Sequence, residues 1–421
     1  MNRVFLISFF LLLTGGICAQ QATTGVLTLK EAEQRFLERN LSLIAERYNI
    51  DMAQAQVLQA KLFENPVISL EQNVYNRLNG KYFDFGKEGE MVVGIEQVIR
   101  LAGQRNKQVK LEKINKEIAE YQFEEVMRTL RQELNEKFVQ VYFLSKSISI
   151  YEKEVNSLQE LFAGMKLQQE KGNISLMEMS RLESMLFSLK KEKNERENEL
   201  LTLRGELNVL LNLPGDTMVE LSLDEEVLKQ LDLSQLSFAD LKAMMNERPD
   251  LKIARSTVSA SRANLKLQKS MAFPEFSVNG SYDRAGNFIN NYFAIGVSLS
   301  VPIFNRNQGN VKAARFSIQQ AGAEQENAAN RADMELYTAY ASLDKAVQLY
   351  QSTNMELERN FEKLIAGVNE NFKKRNISLL EFIDYYDSYK ETCIQLHEIK
   401  KDVFLAMENL NTTIGQTILN Y

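Results

Sequence analysis

Tryptophan is absent from this sequence, and histidine, cysteine and proline nearly so: one His (His397), two Cys (Cys18 and Cys393) and five Pro in 421 residues. One His all but excludes a His-based metal site or a Ser-His-Asp triad. No CxxC, HExxH or phosphate-binding glycine loop is present, so the usual signatures of redox, metallopeptidase and nucleotide chemistry are missing. Nor is there a basic excess. The net charge is −6 and the isoelectric point about 5.4, whereas nucleic-acid binding needs a basic face. Beyond the N-terminus no stretch of about 18 apolar residues occurs, so the mature chain is expected to have no transmembrane helix.

The N-terminus reads as a secretory signal peptide over residues 1–19. Arg3 gives a positive start, Val4 to Leu13 is an apolar run interrupted only by Ser8, and Gly15, Gly16 and Ala19 follow, with the cut expected after Ala19. Cys18 raises lipidation as the alternative, but a lipobox calls for a small residue where Ile17 stands. With the leader removed, Cys393 is the only thiol left and reads as a small apolar core residue. The methionines, such as Met177, Met179, Met185, Met244 and Met245, fall in helical stripes and read as packing rather than as soft-metal ligands.

What the chain does contain is a repeat. Asn173-Ile174-Ser175-Leu176-Met177-Glu178 returns as Asn376-Ile377-Ser378-Leu379-Leu380-Glu381, 203 residues later. Pro66 aligns with Pro274, Gly94 with Gly296 and Val109 with Val311 at similar offsets. The offset drops by six between Pro274 and Gly296, so the copies differ mainly in one loop length. A whole-chain duplication implies one architecture made of two like halves.

Most of each half reads as helix: Thr28 to Phe63, Gln104 to Lys171 and Ser175 to Leu211 in the first, and Phe238 to Met271, Gln308 to Lys374 and Ser378 to Leu419 in the second. Leu130, Leu134, Phe138, Val141, Leu144 and Ile148 form one apolar stripe at helical spacing. A helix of about 65 residues would reach roughly 100 Å, longer than a compact globule needs, and packs as a coiled coil. Four stretches break the helical rule. Phe276, Val278, Gly280 and Tyr282 alternate with Ser277, Asn279, Ser281 and Asp283, and Phe293, Ile295, Val297, Leu299, Val301 and Ile303 alternate with Ala294, Gly296, Ser298 and Ser300. Val67 to Asn76 and Met91 to Arg100 are the matching stretches in the first half. Period-two alternation over about ten residues marks a strand apolar on one face. Two hairpins are too few to close a barrel, and open edges are forbidden in lipid, so the strands must be pooled with those of other copies.

Taken together, the duplication, the Pro before each first strand (Pro66, Pro274), the strand ends Gln97-Val98-Ile99 and Val301-Pro302-Ile303-Phe304, and the turns at Asn173 and Asn376 resemble the TolC family of outer-membrane efflux channels over essentially the whole mature chain. The resemblance leans to the heavy-metal and multidrug branch that works with RND-type pumps. It implies a mainly α, internally duplicated fold, with a long α-helical barrel and a transmembrane β-barrel shared by a trimer, four strands from each protomer. The implied division is a first repeat over 20–212 (helix, β-hairpin, long helical hairpin), an equatorial linker over 213–236 and a second repeat over 237–421. The implied location is the outer membrane, with the helices extending into the periplasm. The implied partners are outer-membrane lipid, a periplasmic adaptor and an inner-membrane pump; the implied cargo is heavy-metal cations or drugs. No nucleic acid, cofactor, metal or catalytic residue is expected.

By the alternation of the strands, Phe276, Val278, Phe293, Ile295, Val297 and Leu299 would face lipid, with Asp283 and Ser300 toward the lumen or its rim. The same resemblance assigns further candidate sites. Glu381 and Asp384, three apart and so on one helix face, sit where the family rings its closed periplasmic aperture with acids, although Glu381 departs from the usual Asp. The first-half equivalents are Glu178 and Arg181. Glu178 and Glu381 also complete Ser-x-x-Glu capping boxes, so each is either a cap alone or a cap and a gate. Arg181 is either a solvated surface residue or a bridge to Glu381 or Asp384. The tip turns Gly172-Asn173 and Arg375-Asn376 sit at the family's adaptor-docking positions, Arg375 departing from the usual Gly. A competing reading is a structural or adaptor-like periplasmic coiled coil, which has no need of a lipid-facing β band.

Overall fold

A computed structural model describes residues 25–285 and 289–421. The expected signal peptide, its cut after Ala19 and Cys18 lie outside the described residues. A short strand β1 (Val26–Thr28) leads into α1 (Leu29–Arg39) and α2 (Leu41–Lys61). The sequence suggested one helix here; the break is at Asn40, whose side chain caps α2 by accepting from Leu43 N at 3.0 Å. Strands β2 (Val67–Gln72), β3 (Tyr75–Asn76), β4 (Lys81–Tyr82) and β5 (Met91–Ile99) follow. The long pair α3 (Gln104–Glu170) and α4 (Leu176–Leu210) completes the first half, and α3 is unbroken over 67 residues.

Between the halves, β6 (Glu220–Ser222) pairs in parallel with β1, and two short 3-10 turns lead to α5 (Phe238–Met245). The helix expected across Phe238 to Met271 restarts as α6 (Pro249–Ser270), with Pro249 in its first turn where a missing N–H is harmless. Strands β7 (Glu275–Ala285) and β8 (Asn290–Ser300) and helices α7 (Gln308–Ser352), α8 (Leu357–Lys373) and α9 (Leu379–Ile414) end the chain. Two strands are shorter than the alternation suggests: β8 stops at Ser300, before Val301, Pro302 and Ile303, where Pro302 has no N–H for a ladder, and β2 stops at Gln72, while Tyr75 and Asn76 pair with β4 instead. Here the structure corrects a single helix over Gln308 to Lys374: residues 353–356 leave the helical path, and Asn354 Oδ1 accepts from Glu356 N at 3.1 Å. The run Ser352-Thr353-Asn354 offers side-chain partners to the backbone in place of the helical ladder.

The main core gathers where α1, α3, α7 and α9 meet the linker, around Phe36, Leu134, Phe138, Leu336, Phe404 and Met407. Ion pairs tie these elements together. Arg131 grips Glu33 with two bonds of 2.8 and 2.7 Å, and the buried Arg248 reaches Asp250 and Glu335, each at 2.8 Å, and the carbonyl of Thr413 at 3.0 Å. Burying an Arg is tolerable only with such paired, charge-assisted bonds. Cys393 is buried, as expected. Not every methionine is: Met179 and Met245 are buried, whereas Met177 and Met244 stand on the surface.

Candidate functional site

Strands β2, β5, β7 and β8 form one sheet in that order, every neighbouring pair antiparallel. Directly opposed residues project to the same side, so the register defines both faces. Ile68 pairs with Ile95, Ile95 with Gly280, and Gly280 with Ile295; Val278 pairs with Val297, Phe276 with Leu299 and Tyr282 with Phe293. The six residues read from the sequence as lipid-facing therefore share one face across the sheet, and Ile295 (88%), Phe293 (75%) and Val297 (68%) are bare in the single chain.

The opposite face carries Ser69, Glu71, Glu96, Ser277, Asn279, Asp283 and Ser298, interrupted by Val67, Val92 and Val98. Ser277 and Ser298 bond across strands at 2.8 Å. The repeated glycines explain themselves here. A Cβ on Gly94 would run into the Ser69 hydroxyl, and one on Gly296 into the Asn279 amide. Each glycine makes room for its neighbour's polar side chain on this face.

At the far end, α3 and α4 meet in one turn and α8 and α9 in another. The two turns have the same construction. Gly172 (φ 74°) and Arg375 (φ 62°) are both left-handed. Asn173 N reaches back to Gln168 O and Asn376 N to Asn371 O, each at 2.9 Å, and each Asn side chain bonds the side chain five residues earlier at 3.0 Å. These are helix C-caps in which glycine is the unstrained choice. Ser175 and Ser378 then start α4 and α9 as complete capping boxes.

Glu178 and Glu381 are thus caps. Ser175 N and Oγ donate to Glu178 at 2.9 and 2.7 Å, and Ser378 N and Oγ donate to Glu381 at 2.8 Å each. These bonds hold both carboxyls below the ordinary glutamate range: for Glu178 the Ser175 hydroxyl is the largest cause, for Glu381 the Ser378 backbone N–H. Asp384 is exposed one turn on and has no such role. Arg181 is exposed and makes no ion pair among the described residues, so one protomer alone does not join it to Glu381 or Asp384. A groove of about 640 Å³ runs between the two tips, lined by Leu161, Met165, Ile174, Phe372 and Ile377 and rimmed by Glu178 and Arg375. Arg375 Nη2 crosses it to the Asn173 carbonyl at 3.4 Å.

The outer membrane efflux protein family model matches residues 33–213 and 241–366. The chain belongs to that family. It is an efflux channel protein of the outer membrane whose helices extend into the periplasm. The cobalt-zinc-cadmium resistance protein CzcC of Cupriavidus metallidurans is 20% identical over 395 residues, which cover 93% of this chain and 88% of CzcC. CusC superimposes with a TM-score of 0.75 at 18% identity over 92% of each chain. The Campylobacter jejuni CmeC outer membrane channel gives 0.76 at 14% identity, over 93% of this chain and 87% of CmeC. These likenesses establish the TolC-like fold, and the family sets aside the reading of a coiled coil confined to the periplasm.

Two features escaped the sequence reading. Leu37, Leu41, Ile44, Tyr48 and Met52 form an exposed apolar stripe along α1 and α2, and Phe316, Met334 and Tyr337 are exposed on α7. The three-and-four spacing of the first stripe was visible, but on a helix it resembles an ordinary core face. The other is a charged layer of the buried Glu154 with the half-buried Lys390 and with Glu192, scattered along three helices in sequence.

Proposed function

We propose that three copies of this chain close into a twelve-stranded barrel and a continuous helical duct, a passive exit for cargo that an inner-membrane RND-type pump delivers through a periplasmic adaptor. The observation that carries this reading is that sheet and helices are open at matching edges. β2 and β8 are the unpaired edges of the sheet, α2 runs into β2, and β8 runs into α7. Both helices display unpartnered apolar residues. Bringing β8 and α7 of one copy against β2 and α2 of the next keeps every strand pair antiparallel and covers both exposed stripes, a head-to-tail contact that ends only by closing a ring. The apolar sheet face then meets lipid, and the lumen receives Glu71, Glu96 and Asp283 from each copy. That acidic lining, together with the metal-resistance name of CzcC, supports cationic cargo, heavy-metal cations ahead of uncharged drugs.

In the same reading, residues 20–212 and 237–421 are the two like halves of the duct wall, and 213–236 belts them at the equator. Residues 1–19 are the export signal. Asp384, with Glu381, contributes to an acidic ring at the periplasmic mouth, and Arg181 and Glu178 of neighbouring copies face it. The tips Gly172-Asn173 and Arg375-Asn376 and the groove between them receive the adaptor. Native mass spectrometry in detergent should find a trimer, and planar bilayers should show stable cation-preferring conductance. A monomer or dimer as the main species overturns the assembly.

A further inference from the structure

The connection between β2 and β5 runs over residues 73–90, whereas only 286–289 separate β7 from β8. The longer one is built inside out. β3 and β4 form a small hairpin within it, Tyr75 opposite Tyr82 with ring centroids 5.0 Å apart. Its polar groups turn inward: the buried Asp84 carboxylate accepts from Asn79 Nδ2 at 2.6 Å, Gly86 N at 2.8 Å and Asn76 Nδ2 at 3.1 Å. A Cβ on Gly89 would collide with the carbonyl of Asp84, so the two turns of the loop are in close contact. Its large apolar side chains turn outward. Leu78 is 89% exposed, Tyr82 72% and Phe85 70%, with Phe83 exposed beside them. A loop in water buries such residues or omits them.

The loop is also aimed. Arg284 of β7 lies two residues beyond Tyr282, on the sheet face that carries Phe276 and Val278. Its guanidinium donates to Phe85 O at 3.1 Å and to Gly89 O at 2.7 and 3.1 Å. That clamp ties the loop past β5 to the end of β7, away from the open edge at β2. Charge does not choose its partner: Arg77, Lys81 and Lys87 balance Asp84, Glu88 and Glu90.

We propose that the 73–90 loop is a lipid-binding collar, with Leu78, Tyr82, Phe83 and Phe85 seated in the boundary between headgroups and acyl chains of the outer leaflet. The proposal rests on the reading that the apolar sheet face meets lipid. Amphipathic rings favour that boundary, and the basic side chains can reach up to the headgroups from it.

The absence of Trp from the chain makes the test direct. Phe85→Trp, Val297→Trp and Tyr292→Trp are each reconstituted in phosphatidylcholine vesicles brominated on either the upper or the lower acyl chain. The Phe85→Trp protein should emit to the blue of free indole in water and lose emission mainly to upper-chain bromine. Val297→Trp should lose emission to lower-chain bromine, and Tyr292→Trp, on the opposite face, to neither. If Phe85→Trp responds to aqueous iodide but not to bromolipid, or to neither because the loop packs on protein, the collar is overturned. Silence of Val297→Trp as well would bring down the lipid-facing sheet on which the proposal stands; loss at Val297→Trp with none at Phe85→Trp removes the collar alone. Replacing the lipid by brominated phosphatidylglycerol should leave the pattern unchanged, and quenching only in that anionic lipid would refute selection by apolar surface.

Discussion

The first long hairpin keeps α3 whole, while the second splits the same length into α7 and α8; both end in the same turn and the same capping box. At the repeat offset of 203, Leu357, the first residue of α8, corresponds to Glu154 of α3. The two departures from ideal coiled-coil packing therefore fall at one level. Where the second copy breaks, the first keeps a buried carboxylate whose Oε1 has no hydrogen-bond partner among the described residues. Around it stand Lys390 and Asp387 of α9, Glu192 of α4 and Tyr151 of α3, Lys390 bonding Glu192 at 3.1 Å. Beside them Tyr386 donates to Asn369 at 2.8 Å and meets Ser157 at 2.7 Å, joining α9 to α8 and α3. Below this layer the packing is apolar down to the tips. At this level the long hairpin is polar in one copy and discontinuous in the other.

The largest expected effect concerns what holds α8 after the break. Phe382 is fully buried and stacks on Phe372 at 4.6 Å and on Tyr386 at 4.5 Å, whereas its first-half counterpart Met179 has no aromatic ladder. Phe382→Ala should cost about 3–5 kcal/mol, and Met179→Ala nearer about 2 kcal/mol, in denaturant unfolding of the protein. Equal losses would mean the ladder does not distinguish the halves.

Next is the carboxylate itself. Burial, with Asp387 and Glu192 adding to it against the pull of Lys390, pushes Glu154 up to about 8 from its ordinary 4.5. A carboxyl whose pKa is raised by folding binds its proton more tightly in the folded state. Its contribution is therefore full below about pH 4.5 and is lost as pH climbs toward about 8, at no more than about 1.4 kcal/mol per pH unit. Glu154→Gln should flatten that slope and raise the melting temperature at alkaline pH. An unchanged pH profile would remove Glu154 from the account.

How much of this was legible beforehand follows from where the signals lie. The strands were, because Phe293, Ile295, Val297 and Leu299 alternate without a gap, and so were the tips, because Ser175-x-x-Glu178 and its twin are local signals. Pro249 and Asn40 were visible breaks masked by the helix-forming residues around them. The gap after Ser352 was not marked by Pro or Gly, and Glu154 looks in sequence like any charged residue on a long helix. Its burial comes from α4 and α9 arriving from far along the chain. The exposed stripes of α1, α2 and α7 were hidden for the same reason: an apolar stripe does not say whether its partner is in the same chain.

A smaller effect should appear at the turns. Arg375 holds φ 62° where its twin is Gly172, and a non-glycine residue there is strained by about 1–2 kcal/mol. Arg375→Gly should stabilise the second tip by about 1 kcal/mol, less whatever its long bond to the Asn173 carbonyl contributes, while Gly172→Ala should lose a similar amount. Melting curves of the two variants should move in opposite directions, and movement in the same direction would show that the turns are not equivalent after all.

The last contrast should leave stability untouched. Asp384 and Arg181 occupy the same repeat position, 203 residues apart, with opposite charge, and neither makes an ion pair among the described residues. Glu381 is unsuitable as the probe, since its carboxylate caps α9 and its removal would disturb the helix start along with any ring. Asp384→Asn removes charge alone. If three copies converge at the mouth, each variant trimer loses three carboxylates there, so cation preference and block by multivalent cations should weaken while the melting temperature stays put. Arg181→Gln should act in the opposite sense, leaving the ring more acidic and multivalent block stronger. The pair separates a gate from two solvated surface residues: opposite shifts in selectivity at constant stability support convergence on the axis, and unchanged conductance, selectivity and block in both variants would return Asp384 and Arg181 to the outer surface of capped helices.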